Sequence, residues 1–472
     1  MWIAIRLPRL PLEIFLRGSS TPEPFAVEER HCVFACDRKA FARGVRAGMA
    51  AAAALALAPR LRVALRDPAA ETEALLGVAG WAAQFTPGVA LEFPDGVLLE
   101  VSGSLKLFGG LEPLLERLRR GLAEMGWSSV LAGAPTPRAA FWLARAGKQN
   151  FIGESAELEP VLAGLPVEVL RCNDETLAAL EAIGVRTLGE LRALPREGMA
   201  RRFGQKLLDE LDRALGRLPD PRNFFVPPAR FEAAIELPAE VTQAEALLFA
   251  ARRLIVQLTG FLAARSGGVQ RFVLKLRHRD KTTEIAIGLV APSRDAEHFT
   301  LLARERFATL SLAEPVRELA LLAGDIVPLA GSNLGLLLEQ GKPPGQWEHL
   351  VERLRARLGT EAVCGIAGRV EHRPERAGVI ADMGEKQLQL DFGERPFWLL
   401  EFPRPLAEIG AVPSFEGPLD LLAGPERIES GWWDGGDVAR DYFIARMQNE
   451  ALVWVYRERR GEGGWYLHGL FA

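Results

Sequence analysis

The run Val97-Leu98-Leu99-Glu100-Val101 is the strongest constraint on what this chain can fold into. Its apolar residues are bracketed by Pro94-Asp95-Gly96 and Gly103, the pattern of a turn entering a buried strand. An acid at such a turn stands at a sheet edge, where a metal site can be built. Asp95 and Glu100 are five apart, so on one strand they project to opposite faces and cannot bind the same ion. The stretch therefore offers a single local carboxylate.

At 472 residues the chain is long enough for about three domains of ~150 residues. With 49% hydrophobic and 25% charged residues its composition is that of a globular protein. The formal charge of −4 carries no global signal for nucleic acid, so a DNA-binding surface has to be local. Met1-Trp2-Ile3-Ala4-Ile5-Arg6-Leu7-Pro8 is too short an apolar run for a signal peptide, and no run reaches the ~18 residues of a membrane span. A cytoplasmic protein with no membrane partner is expected. The four cysteines do not form a disulfide scaffold. His31, Cys32 and Cys36 lack a nearby second pair of ligands, so they read as strand and turn residues, and neither metal nor cofactor is expected.

Along the chain, Trp2 to Arg6 alternates as a strand that Pro8 and Pro11 stop. Arg43-Gly44-Val45-Arg46-Ala47-Gly48-Met49 precedes an Ala/Leu helix. Leu111 to Met125 is an amphipathic helix, and a strand (129–134), a Pro-Thr-Pro turn and a helix (139–146) follow. From Pro160 to about Pro221 the chain is helical. There Leu180 to Leu191 forms a helix-hairpin-helix around Gly184, whose backbone N–H groups at a helix N-terminus suit a phosphate. Arg186, Arg201 and Arg202 add cations; the other reading is an α-hairpin that only packs.

Pro227-Pro228 marks a linker. In the next unit, Phe272, Leu274 and Leu276 face a core while Lys275, Arg277 and Arg279 line the opposite face, either as a track for a phosphate backbone or as a solubilising edge. The flanking helices and strands suit a four-stranded sheet with two helices. The Gly/Pro-rich stretch 331–346 reads as a hinge, and Trp347–Leu358 as a helix that packs back. The last ~50 residues are aromatic and β-rich, with a hairpin of Leu452–Arg457 and Trp465–Leu467.

Several of these pieces resemble the Y-family (translesion) DNA polymerases. Leu99-Glu100-Val101-Ser102 is similar to that family's Leu-Asp-Val-Thr strand, with Asp95 at the first acid and Gly96 where the family has its catalytic Glu. Arg6, Leu7 and Pro8 stand where the family carries Asp-Met-Asp, whose leading acid joins the later pair in holding two Mg²⁺ ions, so of the family's three metal-binding acids only Asp95 remains. Gly44, Val45, Arg46, Gly48 and Met49 match the fingers motif; its triphosphate-contacting Tyr and Arg fall on Arg38 and Phe41, and Phe41 cannot grip a phosphate. The resemblance implies an α+β multidomain fold: palm and fingers over 1–163 (fingers about 16–69), a helix-hairpin-helix thumb over 164–226, a little finger over 227–332, and a C-terminal region over 333–472 ending in a small β-rich domain.

Gln387-Leu388-Gln389-Leu390-Asp391-Phe392 resembles the bacterial sliding-clamp-binding peptide, in which Gln387 bonds at the rim while Leu388, Leu390 and Phe392 supply apolar contacts. The same alternation also fits a plain strand. Gly424-Pro425-Glu426-Arg427-Ile428, Trp432-Trp433, Arg440-Asp441-Tyr442 and Leu467 to Ala472 are similar to the tail of the polymerase-like subunits of bacterial damage-inducible mutagenesis cassettes. The resemblance implies a catalytically inactive adaptor in SOS-type translesion synthesis. Its partners would be damaged or primer-template DNA, the DNA polymerase III beta clamp, an error-prone C-family polymerase and a RecA-like protein, with Trp432, Trp433, Trp454, Trp465 and Phe471 as docking aromatics. The rival is an active Mg²⁺-dependent translesion polymerase, which needs two metals held by several carboxylates.

Overall fold

The strand Val97–Val101 anticipated from the sequence lies in a four-stranded antiparallel sheet at the heart of the first unit. The computed structural model describes residues 1–18, 23–329, 346–381, 394–461 and 463–471. It comprises two compact units, 1–358 and 359–472.

The first unit opens with β1 (Trp2–Arg6) and α1 (Leu10–Leu16). A small sheet follows, built from β2 (Phe25–Glu29), β3 (Cys32–Cys36) and, after the short helices α2 (Arg38–Ala42) and α3 (Ala51–Leu57), β4 (Arg62–Leu65). Its order is β3-β2-β4, in the place expected for fingers. Asp37 caps α2 by accepting from the Ala40 N–H, and Gly44 and Gly48 take the positive φ that the turn after α2 requires.

The chain then returns through α4 (Pro68–Ala82), β5 (Gly88–Glu92), β6 (Gly96–Glu100), α5 (Leu111–Glu124), β7 (Val130–Ala134) and α6 (Pro137–Arg145). The order β5-β6-β1-β7 pairs Arg6 with Gly96 and Trp2 with Glu100. Strand alternation divides the core in two. Ile3, Ile5, Val97 and Leu99 pack against α4 and α5, whereas Ala4, Leu98 and Ala132 pack under Phe141 and Trp142 of α6.

Helices α7 (Leu158–Ala163), α8 (Asp174–Ala182), α9 (Leu188–Ala193), α10 (Arg196–Phe203) and α11 (Gln205–Ala214) form the helical segment. They carry two helix-Gly-helix turns, at Gly184 (φ 79°) and Gly204 (φ 85°).

Next come β8 (Phe231–Val241), α12 (Leu248–Ala264), β9 (Gly267–Arg277), β10 (Thr282–Ser293), α13 (Ala296–Ala308), β11 (Val316–Ala323) and β12 (Ile326–Pro328). Four strands in the order β10-β9-β11-β8 carry two helices, as anticipated, and β12 adds a short fifth strand on β9. Among the described residues, α12 with its preceding turn is the one helix long and apolar enough to cross a bilayer. Leu254, Leu258, Phe261 and Leu262 spend that apolarity in the core of this sheet. α12 also packs on α4, where a Cβ at Gly260 or at Gly121 of α5 would sit 2.1 Å from the Trp81 indole. A side chain at either position would push that ring out. α14 (Gln346–Leu358) packs on α13 and β10. The boundary expected at 333 would therefore separate α14 from the elements that carry it.

The second unit begins with the hairpin of β13 (Gly365–Gly368) and β14 (Gly378–Ala381). β15 (Trp398–Ile409), β16 (Val412–Ser414), β17 (Asp420–Ser430), β18 (Val438–Arg446), β19 (Leu452–Glu458) and β20 (Gly464–Leu470) then form an antiparallel sheet in the order β16-β15-β20-β19-β18-β17. The expected terminal hairpin is β19-β20, and the sheet extends further back than the last ~50 residues, to Trp398. Two of the distinctive tail segments lie side by side in it: Arg427 faces Asp441 across β17 and β18, with Nε 2.9 Å from Oδ1.

Candidate functional site

The β1–β6 register sets Arg6 at the mouth of the turn that carries Asp95. Arg6 Nε donates to Asp95 Oδ2 at 2.8 Å, and Arg171 Nη2 donates to Asp95 Oδ1 at 3.1 Å. Both oxygens are thus held by guanidinium groups. Arg171 also pairs with Glu92 (3.4 Å), Glu92 with Arg222, Arg222 with Asp220, Asp220 with Arg138 (3.4 Å), and Arg138 with Glu210 of α11 (3.6 Å). This string of alternating charges runs from the palm-like sheet to the helical segment and balances four arginines against four acids. Burial, and then the neighbouring Arg171, pull the Arg145 guanidinium below its usual pKa beside the same turn.

Gly96 is closed as well. A Cβ built there would lie 2.3 Å from Phe141 Cε2 and 3.1 Å from the Glu92 carbonyl oxygen, so no side chain fits without moving the ring. Glu100 stands at the far end of β6. Burial pushes its carboxyl up, but hydrogen bonds from the Ser102 hydroxyl (2.6 Å) and N–H (3.1 Å) outweigh it and hold the pKa below the ordinary value. Pro8 lies exposed in the turn after β1.

Two Mg²⁺ ions on a triphosphate require several carboxylate oxygens converging on one point. These residues do not fit that requirement. One carboxylate is present, both of its oxygens face arginines, and a guanidinium at 2.8 Å opposes a divalent cation where a carboxylate would attract it. On α2, Arg38 is exposed and Phe41 lies under Arg46, whose Cζ is 3.6 Å from the ring centroid.

The sequence-derived DNA residues divide into two groups. Arg186, Arg201 and Arg202 are exposed on the helical segment, as is Lys206, and the described residues offer Arg201, Arg202 and Lys206 no ion-pair partner. The expected phosphate site at Gly184 needs correction. Glu190 Oε2 accepts the N–H of Arg186 (2.8 Å) and of Thr187 (3.0 Å), while Thr187 Oγ1 accepts the Glu190 N–H, so a capping box already fills that N-terminus with an anion.

The row on β9 also needs correction. Phe272, Leu274 and Leu276 are buried as expected, but Lys275 pairs with Glu284 of β10 (2.9 Å) and Arg277 with Glu318 of β11 (3.1 Å). Arg279 lies past the strand end, in the β9–β10 turn. That face is a mixed-charge surface.

In the second unit, Trp432 (77% exposed) and Trp433 (59%) stand on the β17–β18 loop with rings edge to face. Buried Arg373 braces this loop by bonding Asp434 (2.7 Å) and Glu371 (2.7 Å), and it holds the Glu371 carboxyl down to about 2. Trp454 and Trp465 are not docking residues: they are buried in the two cores on opposite faces of the sheet, and Phe471 packs half-buried against the first of these. The sequence reading missed the exposed Phe397, Trp398 and Phe402. Gln387, Leu388, Leu390 and Phe392 lie outside the described residues.

Residues 18–143 match the impB/mucB/samB family. With the palm-like sheet, small fingers sheet, helical thumb and α/β sheet in this chain order, the fold is that of the Y-family polymerases, extended by a β-rich C-terminal unit. The Dbh ternary complex covers 70% of this chain and 100% of its own, at 15% identity and a TM-score of 0.40. DNA polymerase IV of Pseudomonas putida (strain GB-1) is 31% identical, but only over 38% of this chain and 51% of its own length. Protein ImuB of Caulobacter vibrioides (strain NA1000 / CB15N) is 28% identical over 457 residues, spanning 91% of this chain and 100% of its own. The likeness thus extends well beyond the polymerase-like half, and the chain is ImuB-like along its length.

Proposed function

We propose that this chain is a non-catalytic Y-family polymerase-like adaptor in DNA-damage-induced translesion synthesis and mutagenesis, in the cytoplasm at the nucleoid. It binds DNA and the DNA polymerase III beta sliding clamp, and it recruits an error-prone C-family polymerase of ImuC type and a RecA-like partner of ImuA type. The observation that carries the reading is the pairing of Asp95 with Arg6 and Arg171 beside a Gly96 that Phe141 seals. Phosphoryl transfer of the two-metal kind has no ligand set there. Primer extension with Mg²⁺ or Mn²⁺ is expected to give no incorporation. Template-directed synthesis by the purified chain would restore the active-polymerase reading.

DNA contact falls to the exposed Arg201, Arg202 and Lys206 and not to the neutralised β9 row. Reversing these three charges is expected to lower the slope of log affinity against log salt by about 3, whereas reversing Lys275 and Arg277 changes it by less than about 1. The opposite ranking would move the DNA to the sheet.

Clamp binding is assigned to the Gln387–Phe392 peptide, with Leu390 and Phe392 as anchors. Alanine at Gln387, Leu390 and Phe392 is expected to abolish clamp capture, and unchanged capture removes the peptide from the scheme. Trp432 and Trp433 are the protein-docking aromatics, because exposed indoles suit the centre of an interface. Alanine at both should release one protein partner in pull-downs and leave the clamp bound.

A further inference from the structure

Helix α14 packs on α13 and β10 by a mixed face, with Val351 and Ala356 beside Glu352. Trp347, Leu350, Leu354 and Leu358 recur every three or four residues and are all exposed, while Val351 and Glu352 are the residues it buries. An amphipathic helix ordinarily docks the other way round, with its apolar stripe inward. Val351 and Ala356 supply only a small apolar contact, and the buried carboxylate at its centre has to be compensated.

Glu352 is 3% exposed, and its Oε1 accepts the Val290 N–H of β10 at 2.6 Å. Its Oε2 meets Nε2 of His298, a buried residue in the first turn of α13. The ring of His349, one turn before Glu352 on α14, lies nearly parallel to that of His298, with centroids 3.8 Å apart. Donor atoms of the three side chains all lie within 4.8 Å of one another. Among the described residues no lysine or arginine pairs with Glu352.

Two imidazoles and a carboxylate make a donor set for a borderline divalent ion, Zn²⁺ foremost; Mg²⁺ and Ca²⁺ prefer all-oxygen sites. We propose that His298, His349 and Glu352 form a zinc site that clamps α14 to α13, with a solvent molecule completing the coordination on the exposed side. Metal–ligand bonds near 2.1 Å place tetrahedral donors about 3.4 Å apart. His298 Nε2 and Glu352 Oε2 touch more closely than that, so closure needs these two atoms to part by about 1 Å as well as an inward turn of the exposed His349 ring. The ion then supplies the positive charge that Glu352 lacks, and Val290 fixes the carboxylate from behind. This site is independent of the adaptor reading.

The test uses the full chain freed of metal by chelation, titrated with Zn²⁺ by calorimetry and with Co²⁺ by visible absorption. One equivalent of zinc is expected, along with a Co²⁺ ligand-field spectrum of low coordination number, neither displaced by a hundredfold excess of Mg²⁺. His349→Ala removes an exposed ring that stacks on His298, so it should lower the metal-free melting temperature only slightly while weakening zinc binding at least tenfold. No equimolar uptake, or uptake that His349→Ala leaves as tight as before, overturns the proposal.

Discussion

The turn at Asp95 and the contact between α13 and α14 each bring carboxylate chemistry to a partly enclosed place, with opposite outcomes. At Asp95 every acid is answered by a guanidinium, and the string of pairs runs on through Glu92, Arg222 and Arg138 to the helical segment. At Glu352 the neighbours are imidazoles, which accept a metal ion as readily as they donate a hydrogen bond. The difference teaches that an acid at such a turn can be neutralised without leaving a hole. Fixed cations take the place of bound ones, and the same charges that exclude metal also tie the thumb-like helices to the palm-like sheet.

The sharpest way to break this contrast is Gly96→Glu. If Phe141 seals the pocket, the new side chain has to displace it, and the loss in stability should be about 3 kcal/mol in urea unfolding. An unchanged midpoint would mean that the ring swings aside and the site can be refilled. At the other pole, free zinc at about a hundred times its dissociation constant should stabilise the first unit by about 2.7 kcal/mol, and Mg²⁺ at the same concentration by nothing measurable. Equal effects of the two ions would erase the distinction between the sites.

Asp95→Asn keeps the shape but removes the negative charge that Arg6 and Arg171 share, and should cost about 1–2 kcal/mol with no change in DNA affinity. Weaker DNA binding would show that the remnant still faces nucleic acid. Smallest of all, Arg353→Ala removes the surface pair with Glu305 and should cost less than about 0.5 kcal/mol while leaving zinc affinity intact. A larger loss would make that pair, and not the buried triad, the fastener of α14.

How much of this was legible depends on how far apart the partners lie. The strands at Trp2–Arg6 and Val97–Glu100, the helix at Leu111–Glu124 and the hairpin at Gly184 were readable because their signals are periodic or confined to one turn. The lone status of Asp95 was readable too. Its capture by Arg171 was not, since 76 residues separate them and neither carries a local signature. Alternation correctly turned Lys275 and Arg277 outward, but the acids that neutralise them come from β10 and β11, which only the sheet order brings alongside.

Aromatic density misled for a related reason. Both faces of the C-terminal sheet carry a core, so Trp454 and Trp465 are buried although they sit in the same tail as the exposed Trp432 and Trp433. The one-turn spacing of His349 and Glu352 was visible, but their third partner lies on another helix, 54 residues from Glu352.

Phe141 over Gly96 acts as a latch against any side chain at that position. A glutamate introduced there strains the core, and trimming the aromatic first opens a void. Neither single step comes free, so only a paired change of ring and glycine could bring a second acid beside Asp95.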